Sequence, residues 1–235
     1  MNLQKVIAII PARGGSKRIP KKNIKTFIDK PMLNYAINAC KDAEIFLEIM
    51  VSTDDNEILE IAKNNSASVP FMRTKKTADD FATTFDVLDE VISNYKNSGQ
   101  EFDFICCVYP CVPFLTGQTL KDAYNKLLSS GKDALQPVCR YPVPIEWAMK
   151  IEDNLLIPND KNAQMIRSQD LTPKYYDVGM FYFIKTDILL KEKSLTPKKT
   201  FAYIMNENEV QDIDTLDDWN IAELKYKLLQ ESIRG

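Results

Sequence analysis

Residues 11–23 contain the side chains best suited to chemistry, and we call them the basic loop. They follow an apolar, β-branched run at residues 5–10 that predicts a buried strand. Gly14 and Gly15 would let a ligand approach the backbone where a Cβ would collide. The five cations of the loop are Arg13, Lys17, Arg18, Lys21 and Lys22. Because these charges repel one another, we expect a polyanion such as a chain of phosphates to bind there.

The alternative for the basic loop is a solvated basic turn. Its position after the first strand favours a ligand site, because open α/β sheets bind ligands beyond the carboxyl ends of their strands. The loop has neither the Gly-x-x-x-x-Gly-Lys-Ser/Thr spacing of a Walker loop nor the three spaced glycines of a dinucleotide fingerprint. The sequence therefore argues against NAD and FAD.

A pair of carboxylates, Asp212 and Asp214, forms a second candidate site near the end of the chain. In an extended backbone these alternate side chains point to the same face. Two close carboxylates are costly unless a cation lies between them, and Mg²⁺ prefers oxygen ligands that a nucleoside triphosphate can complete. A structural alternative is that Asp214 or Asp217 caps the last helix, and both roles are compatible.

Composition limits the class of protein. The 235 residues are 45% hydrophobic and carry a formal net charge of −3, so the basic loop is a local site and a nucleic acid is not expected as a partner. No apolar run approaches the ~18 residues of a membrane helix, so a membrane is not expected either. The chain has no histidine, which leaves carboxylates, cations, hydroxyls or a hard metal for chemistry. Five cysteines without a Cys-x-x-Cys pair and an N-terminus without a leader predict a cytoplasmic protein.

Helix and strand patterns alternate along the chain. Strands are predicted at residues 5–10, 46–52, 102–109, 134–138 and 178–184, and helices include residues 84–95, 118–128 and 216–229. This order predicts a Rossmann-like α/β fold, a three-layer sandwich with a mostly parallel sheet, in a single domain over residues 1–235. In the last helix, the residues expected to face inward are Ile221, Leu224, Leu228 and Leu229.

The basic loop resembles the N-terminal signature of the acylneuraminate cytidylyltransferase family, which activates acidic sugars. The signature is an apolar strand followed by Pro-Ala-Arg-x-x-Ser-Lys-x-x-Pro-x-Lys-Asn. Its fixed positions are all present, as Pro11, Ala12, Arg13, Ser16, Lys17, Pro20, Lys22 and Asn23. The resemblance implies a site for CTP formed by Ala12, Arg13, Gly14, Gly15, Ser16 and Asn23. It implies catalytic roles for Arg13, Lys17, Lys22, Asp212 and Asp214.

Residues 73–84 are similar to the loop that surrounds the cytosine and ribose in this family. Arg73, Ala82 and Thr84 match, although the pattern alone predicts only a polar loop with a threonine cap before a helix. The family's Asp-Ile-Asp-Thr segment is also present at residues 212–215, which implies that Asp212 and Asp214 bind Mg²⁺ or Mn²⁺.

Two more segments resemble motifs of the family, Arg-x-Gln-x-Leu at residues 167–171 and Asn-Gly-x-x-Tyr at residues 178–182, where Val178 replaces the Asn. They imply a sugar-acid site, in which Arg167 holds the substrate carboxylate by two parallel hydrogen bonds. A surface pair with a nearby acid is the alternative for Arg167. The residues assigned to the sugar-acid site are Tyr109, Arg167, Gln169 and Tyr182.

The alternating rhythm breaks at residues 140–175, which contain four prolines. We call this segment the excursion, and its alternating pieces around Asp153 and Asn154 predict a hairpin. In the resembling family such an excursion packs against a second subunit, which implies a homodimer. A lid over the protein's own site is the alternative.

The resemblance implies an enzyme that transfers CMP from CTP to a nine-carbon 2-keto sugar acid. Tyr109 and Val178 stand where sialic acid synthetases have Gln and Asn, and these departures favour pseudaminate as the acceptor. Legionaminate, N-acetylneuraminate and 3-deoxy-octulosonate are the alternative acceptors, and a catalytically silent nucleotide-binding homologue is the alternative to an enzyme.

Overall fold

A seven-stranded sheet is the centre of the computed structural model, which describes residues 4–234. In chain order the elements are β1 (Val6–Pro11), β2 (Thr26–Phe27), β3 (Lys30–Pro31), α1 (Met32–Ala43), β4 (Glu48–Ser52), α2 (Asn56–Asn64), α3 (Lys75–Ala78), α4 (Thr84–Asn97), β5 (Phe104–Val108), α5 (Gly117–Ser130), β6 (Ala134–Arg140), β7 (Met149–Glu152), β8 (Leu155–Pro158), β9 (Tyr175–Asp177), β10 (Phe181–Lys185), α6 (Thr186–Glu192), β11 (Thr200–Ile204) and α7 (Leu216–Arg234). Short 3₁₀ turns lie at Ile145–Trp147, Ala163–Met165, Ser168–Asp170 and Glu207–Glu209.

The strand order of the main sheet is β11-β6-β10-β5-β1-β4, with β9 paired to β6. β4, β1, β5, β6 and β11 run in one direction, and β9 and β10 run against them. The predicted mostly parallel sheet is therefore confirmed. The two-residue strands β2 and β3 pair with each other outside this sheet, as do β7 and β8.

Helices cover both faces of the sheet, as predicted. Because side chains alternate along a strand, Val6, Ala8 and Ile10 of β1 pack into a core with α1, α5 and α7. Ile7 and Ile9 point to the opposite face and pack with α4 and α6. The prediction of a three-layer sandwich is confirmed.

The inward face of α7 differs from the predicted one. Ile221, Leu224 and Leu228 are 52%, 63% and 66% exposed, and the face that packs against the core instead carries Trp219 and Tyr226. The rings of both residues contact Phe27 edge-on, at centroid distances of 5.4 and 5.7 Å. Large aromatic rings bury more apolar area than leucine does, so the aromatic residues set the rotation of the helix. The prediction was right only for Leu229, which packs against this core.

The excursion contains the predicted hairpin, formed by β7 and β8. Asp153 and Asn154 have φ angles of 50° and 63°, which the two-residue turn of a hairpin requires and which these residue types tolerate. Ile151 lies opposite Leu156, and the two are 72% and 67% exposed. The hairpin thus presents an apolar surface to solvent.

No helix within residues 4–234 is both long and apolar enough to cross a membrane.

Candidate active site

The carboxyl ends of β1, β4 and β5 meet at one edge of the sheet. Pro11 lies opposite Ser52 of β4, and Ile9 lies opposite Cys107 of β5. The segments that follow these strands therefore surround one region. A cavity of about 380 Å³ opens there, which we call the cationic cavity. Its lining residues are Pro11, Arg13, Gly15, Ser16, Lys17, Arg18, Lys22, Asn23, Pro110 and Asp214.

A smaller cavity of about 170 Å³ lies beside the cationic cavity and shares Pro11 and Arg13 with it. We call it the loop cavity, because the segment between α3 and α4 contributes four of its lining residues. Its other lining residues are Arg73, Thr77, Asp79, Asp80, Ala82, Thr83, Thr84, Val87 and Tyr109. The two cavities bring together most of the residues that the sequence assigns to the nucleotide.

The two glycines of the basic loop have different structural roles. A Cβ on Gly14 would lie 2.7 Å from Oδ2 of Asp55, whose carboxylate caps α2 by accepting from the N–H groups of Glu57 and Ile58. Gly14 is therefore required by packing within the protein. The sequence predicted instead that this glycine makes room for a ligand. A Cβ on Gly15 would meet no atom of residues 4–234 within 4 Å. Gly15 thus keeps the backbone open toward the cationic cavity.

Hydrogen bonds hold the start of the basic loop in place. The N–H of Ala12 donates to the carbonyl of Ser52, and the N–H of Gly14 donates to Oδ1 of Asp54, both at 2.9 Å. The buried amide of Asn23 donates to the carbonyl of Arg13 at 2.9 Å. Because these bonds fix the backbone around Arg13, its guanidinium projects from a rigid base.

Asp214 faces the cationic cavity and lies among cations. Its carboxylate is 2.8 Å from Nη1 of Arg18 and 3.6 Å from Nζ of Lys22, which also donates to the carbonyl of Ile213. These contacts join the basic loop to residues 212–214 across the site. These two cations of the basic loop fix the position of the Asp214 carboxylate at the cavity.

The first turn of α7 is capped by residues other than the predicted ones. The Thr215 hydroxyl accepts from the N–H of Asp218, and the Asp218 carboxylate accepts from the N–H groups of Asp214 and Thr215. This is a reciprocal capping box. The prediction that the carboxylate of Asp214 or Asp217 caps the helix was wrong, and the Asp214 carboxylate is left for the cavity.

Arg73 is held at the back of the loop cavity. Its Nε donates to Oγ of Ser52 at 3.1 Å, and its Nη2 donates to the Ser52 carbonyl at 2.7 Å. Burial lowers the pKa of its guanidinium from the ordinary value. The segment that follows Arg73 is tied to α4 by Glu90, which accepts from the N–H and hydroxyl of Thr74 and from the hydroxyl of Thr77.

Thr84 and Tyr109 meet in the loop cavity, where their hydroxyls are 3.0 Å apart. Thr83 caps α4, with Asp86 as its partner in a capping box, so the predicted threonine cap is confirmed. The cap fixes Thr84 at the first turn of the helix. Tyr109 therefore lies with the residues assigned to the nucleotide, although the sequence assigned it to the sugar acid.

Comparison with known proteins adds to this geometry. Residues 7–226 match the cytidylyltransferase family. The chain belongs to this family. The chain is 38% identical over 229 residues to the pseudaminic acid cytidylyltransferase of Campylobacter jejuni subsp. jejuni serotype O:2, with 97% of this chain and 99% of that one covered. It is 29% identical over 234 residues to the CMP-N,N'-diacetyllegionaminic acid synthase of Legionella pneumophila, with 97% and 99% covered.

A solved structure shares the fold of this chain. It is a CMP:2-keto-3-deoxy-manno-octonic acid synthetase complexed with CTP, with a TM-score of 0.67 and 16% identity. The match covers 97% of this chain and 99% of that one. At this identity the comparison establishes the fold alone.

Asp212 lines a third cavity, of about 410 Å³. Its other lining residues are Tyr176, Asp177, Val178, Gly179, Val210 and Gln211. Ile213 is buried between Asp212 and Asp214, so the two carboxylates flank it and line different cavities. The part of the chain that the structure describes holds no group of three or more His, Cys, Asp or Glu side chains able to hold a metal ion. That Asp212 and Asp214 together hold a Mg²⁺ or Mn²⁺ ion therefore stays a prediction.

Of the residues assigned to the sugar acid, Tyr109 and Tyr182 contact each other, and Arg167 and Gln169 lie on the excursion. Tyr182 is buried beside Tyr109, with ring centroids 5.8 Å apart, and its hydroxyl donates to Oδ2 of Asp177 at 2.6 Å. Burial and this hydrogen bond raise the pKa of Tyr182, so its hydroxyl stays protonated. Arg167 lies in the excursion with its Nε 2.9 Å from Oδ2 of Asp170, as its surface-pair alternative describes, and Gln169 is exposed nearby.

Sequence reasoning missed four residues that shape these cavities, namely Asp80, Glu90, Pro110 and Asp177. Asp80 and Glu90 hold the walls of the loop cavity through contacts with Arg13, 67 positions away, and with Thr74, 16 positions away. Asp177 orients two groups, since its carboxylate accepts from the N–H of Gly179 and from Tyr182. Of the four, the sequence could have indicated Pro110 alone, because it directly follows Tyr109 at the end of a predicted strand.

Proposed function

We propose that this protein transfers CMP from CTP to the anomeric hydroxyl of a nonulosonic acid, with pseudaminate as the acceptor, and releases pyrophosphate. The observation that carries the proposal is the pairing of the cationic cavity with the loop cavity through Arg13. This arrangement offers cations to a triphosphate next to a pocket for the base. The 38% identity to a protein named pseudaminic acid cytidylyltransferase supports the choice of acceptor.

In the proposed complex, the base and ribose occupy the loop cavity and the phosphates occupy the cationic cavity. Ala82 and Thr84 line the first, and Lys17 and Lys22 line the second. Arg13 lines both and is placed to contact the α-phosphate between them. Charge-assisted hydrogen bonds from these cations would neutralise the phosphate oxygens.

In the proposed reaction the anomeric oxygen attacks the α-phosphorus of CTP. A bond forms between this oxygen and phosphorus, the bond from the α-phosphorus to the bridging oxygen breaks, and pyrophosphate leaves. The hydroxyl proton passes to a carboxylate or to solvent, since the chain has no histidine. Mg²⁺ or Mn²⁺ held by Asp212 and Asp214 would supply further charge neutralisation. The chain's own contribution is positioning and electrostatic stabilisation, on which phosphoryl transfer chiefly depends.

The choice of sugar acid rests on Tyr109 and Val178. A pocket built around amide groups discriminates strongly between hydrogen-bonding substrates, by ~10⁴ or more, whereas apolar contact discriminates weakly. The two residues remove the amides that sialic acid synthetases have at these places, and Val178 is buried against the core. We therefore expect N-acetylneuraminate to be a poor substrate and pseudaminate to be a good one.

The test offers the purified protein CTP and Mg²⁺ with one sugar acid at a time and measures pyrophosphate. The four acceptors are pseudaminate, legionaminate, N-acetylneuraminate and 3-deoxy-octulosonate. We expect the highest kcat/KM with pseudaminate. Faster turnover of N-acetylneuraminate or 3-deoxy-octulosonate would show that our interpretation of Tyr109 and Val178 is wrong, and no pyrophosphate with any acceptor would favour a silent homologue.

We also propose that two copies of the chain associate through the hairpin of the excursion. Met149 and Ile151 lie on one face of β7, and Leu156 lies opposite Ile151, so three apolar side chains share an exposed face. Ile151→Asp is expected to shift the mass measured by light scattering from dimer to monomer. Lys150→Asp, on the other face of the same strand, is the control and should leave the dimer intact. A monomeric wild-type protein would contradict the proposal.

We place the protein in a reducing compartment, the cytoplasm. All five cysteines are free thiols in the structure, and Cys40, Cys106, Cys107 and Cys139 are buried. Burial raises the pKa of the partly accessible Cys111 to about 12, so it stays protonated and unreactive. Fractionation of the native cells with an antibody against the chain tests this placement.

A further inference from the structure

Asp80 binds two of the cations that line the cationic cavity. Its Oδ1 is 2.8 Å from Nη1 of Arg13, and its Oδ2 is 2.5 Å from Nζ of Lys17. Nη1 of Arg13 also donates to the carbonyl of Asp79 at 3.1 Å. These three contacts, which we call the Asp80 latch, join the basic loop to the segment between α3 and α4.

The carboxylate of Asp80 thus occupies the two cations that the proposed function assigns to phosphate oxygens. Hydrogen bonds from Lys17 and then Arg13 lower the pKa of Asp80, so it is ionised at neutral pH. The side chains of Arg13, Lys17 and Asp80 are 39%, 82% and 45% exposed. Ion pairs with this exposure are weak, so a ligand with more negative charge can replace the carboxylate.

The segment that carries Asp80 keeps its shape without the latch. Oδ1 of Asp79 accepts from the N–H groups of Phe81 and Ala82, at 2.9 and 2.7 Å. Thr83 and Asp86 form the capping box that begins α4. Replacing the latch carboxylate therefore changes its ion pairs with Arg13 and Lys17 and leaves the local turn intact.

We propose that Asp80 is a specificity-determining residue that competes with the nucleotide phosphates for Arg13 and Lys17. A triphosphate or pyrophosphate carries enough charge to displace it from both cations. The phosphodiester left after the proposed reaction carries a single negative charge on its phosphate, so Asp80 returns to the cations and favours release of the product. The inference rests on the proposed function. It predicts that the site binds polyphosphates more tightly than a monophosphate.

The test compares Asp80→Asn with the wild-type protein in titration calorimetry against CTP, CMP and inorganic tripolyphosphate at low salt. Binding to a protein with a competing internal ion pair is weakened by the population of that pair. Releasing two exposed pairs is expected to tighten CTP and tripolyphosphate about threefold to tenfold and to tighten CMP less, because the single phosphate of CMP lies at Arg13 in the proposed complex.

The control is Glu57→Gln, which makes the same change in net charge. Glu57 pairs with Lys21 of the basic loop at 2.7 Å, and neither residue lines the cationic cavity. This variant is expected to bind all three ligands as the wild type does. The proposal is overturned if Asp80→Asn binds tripolyphosphate as weakly as the wild type or more weakly, if CMP gains as much as CTP, or if Glu57→Gln gives the same gain. Tripolyphosphate contains neither base nor sugar, so its binding tests the latch even if no sugar acid is turned over.

Discussion

Asp214→Ala is expected to lower turnover on the order of 10²-fold or more while the protein stays folded. Asp214 is the carboxylate of the cationic cavity, and it lies between Arg18 and Lys22. Its loss would remove one of the two proposed ligands of a divalent ion and leave Arg18 and Lys22 without this partner. The fold should survive because Thr215 and Asp218 cap α7 through their own side chains.

The measurement is kcat at saturating CTP and sugar acid, together with the melting temperature from circular dichroism. Asp217→Ala is the matched control, since Asp217 is an exposed aspartate in the first turn of the same helix and lines neither the cationic cavity nor the cavity with Asp212. We expect it to retain wild-type turnover. A folded Asp214→Ala variant with unchanged kcat would remove Asp214 from the catalytic machinery.

The parts of the site that could be predicted are those encoded by local patterns. The apolar run before the basic loop fixes β1, and the parallel order of the strands places the segments after them at one edge. The clustering of Arg13, Lys17, Lys22 and Asp214 follows from this topology. Motif spacing therefore predicts the place of the cationic cavity.

The parts that could not be predicted depend on contacts between distant residues. Asp80 meets Lys17 across 63 positions of sequence, and nothing in its own segment marks it as a partner of the basic loop. The edge strands β9 and β11 were not predicted, because β9 has only three residues and β11 lacks a fully buried pattern. The inward face of α7 was assigned wrongly, since leucine spacing fits more than one rotation of the helix and the ring contacts of Trp219 and Tyr226 choose between them.

The assignment of Arg167 shows the same limit. Its motif resembles a substrate-binding one, yet the structure pairs it with Asp170 on the excursion. A short motif specifies residue types and spacing, whereas a site also requires that the chain between them folds back to the same place. The role of Arg167 in binding the sugar carboxylate therefore stays a prediction.

Arg13→Ala is expected to weaken CTP binding on the order of 10²-fold, as a rise in the Kd measured by calorimetry and in the KM. Arg13 lines both cavities, and it is fixed from behind by the bond from Asn23 to its carbonyl. A hydrogen bond to a charged group contributes about 1.5–3 kcal/mol, so losing one or two of them to the α-phosphate accounts for this factor. The same variant frees the Asp80 carboxylate beside the cavity, and its charge would repel the phosphates further.

Two companion variants separate the contacts of Arg13 from the effect of the net positive charge of the basic loop. Lys21→Ala removes one positive charge from the same loop, but Lys21 pairs with Glu57 and lies outside both cavities, so CTP affinity should change little. Arg13→Lys keeps the charge and loses the planar fork of donors, so an intermediate loss is expected. If Lys21→Ala weakened CTP as much as Arg13→Ala does, only the net charge of the loop would matter. We expect the loss of CTP affinity to rise from Lys21→Ala through Arg13→Lys to Arg13→Ala. That order would show that the guanidinium contacts the nucleotide where the two cavities meet.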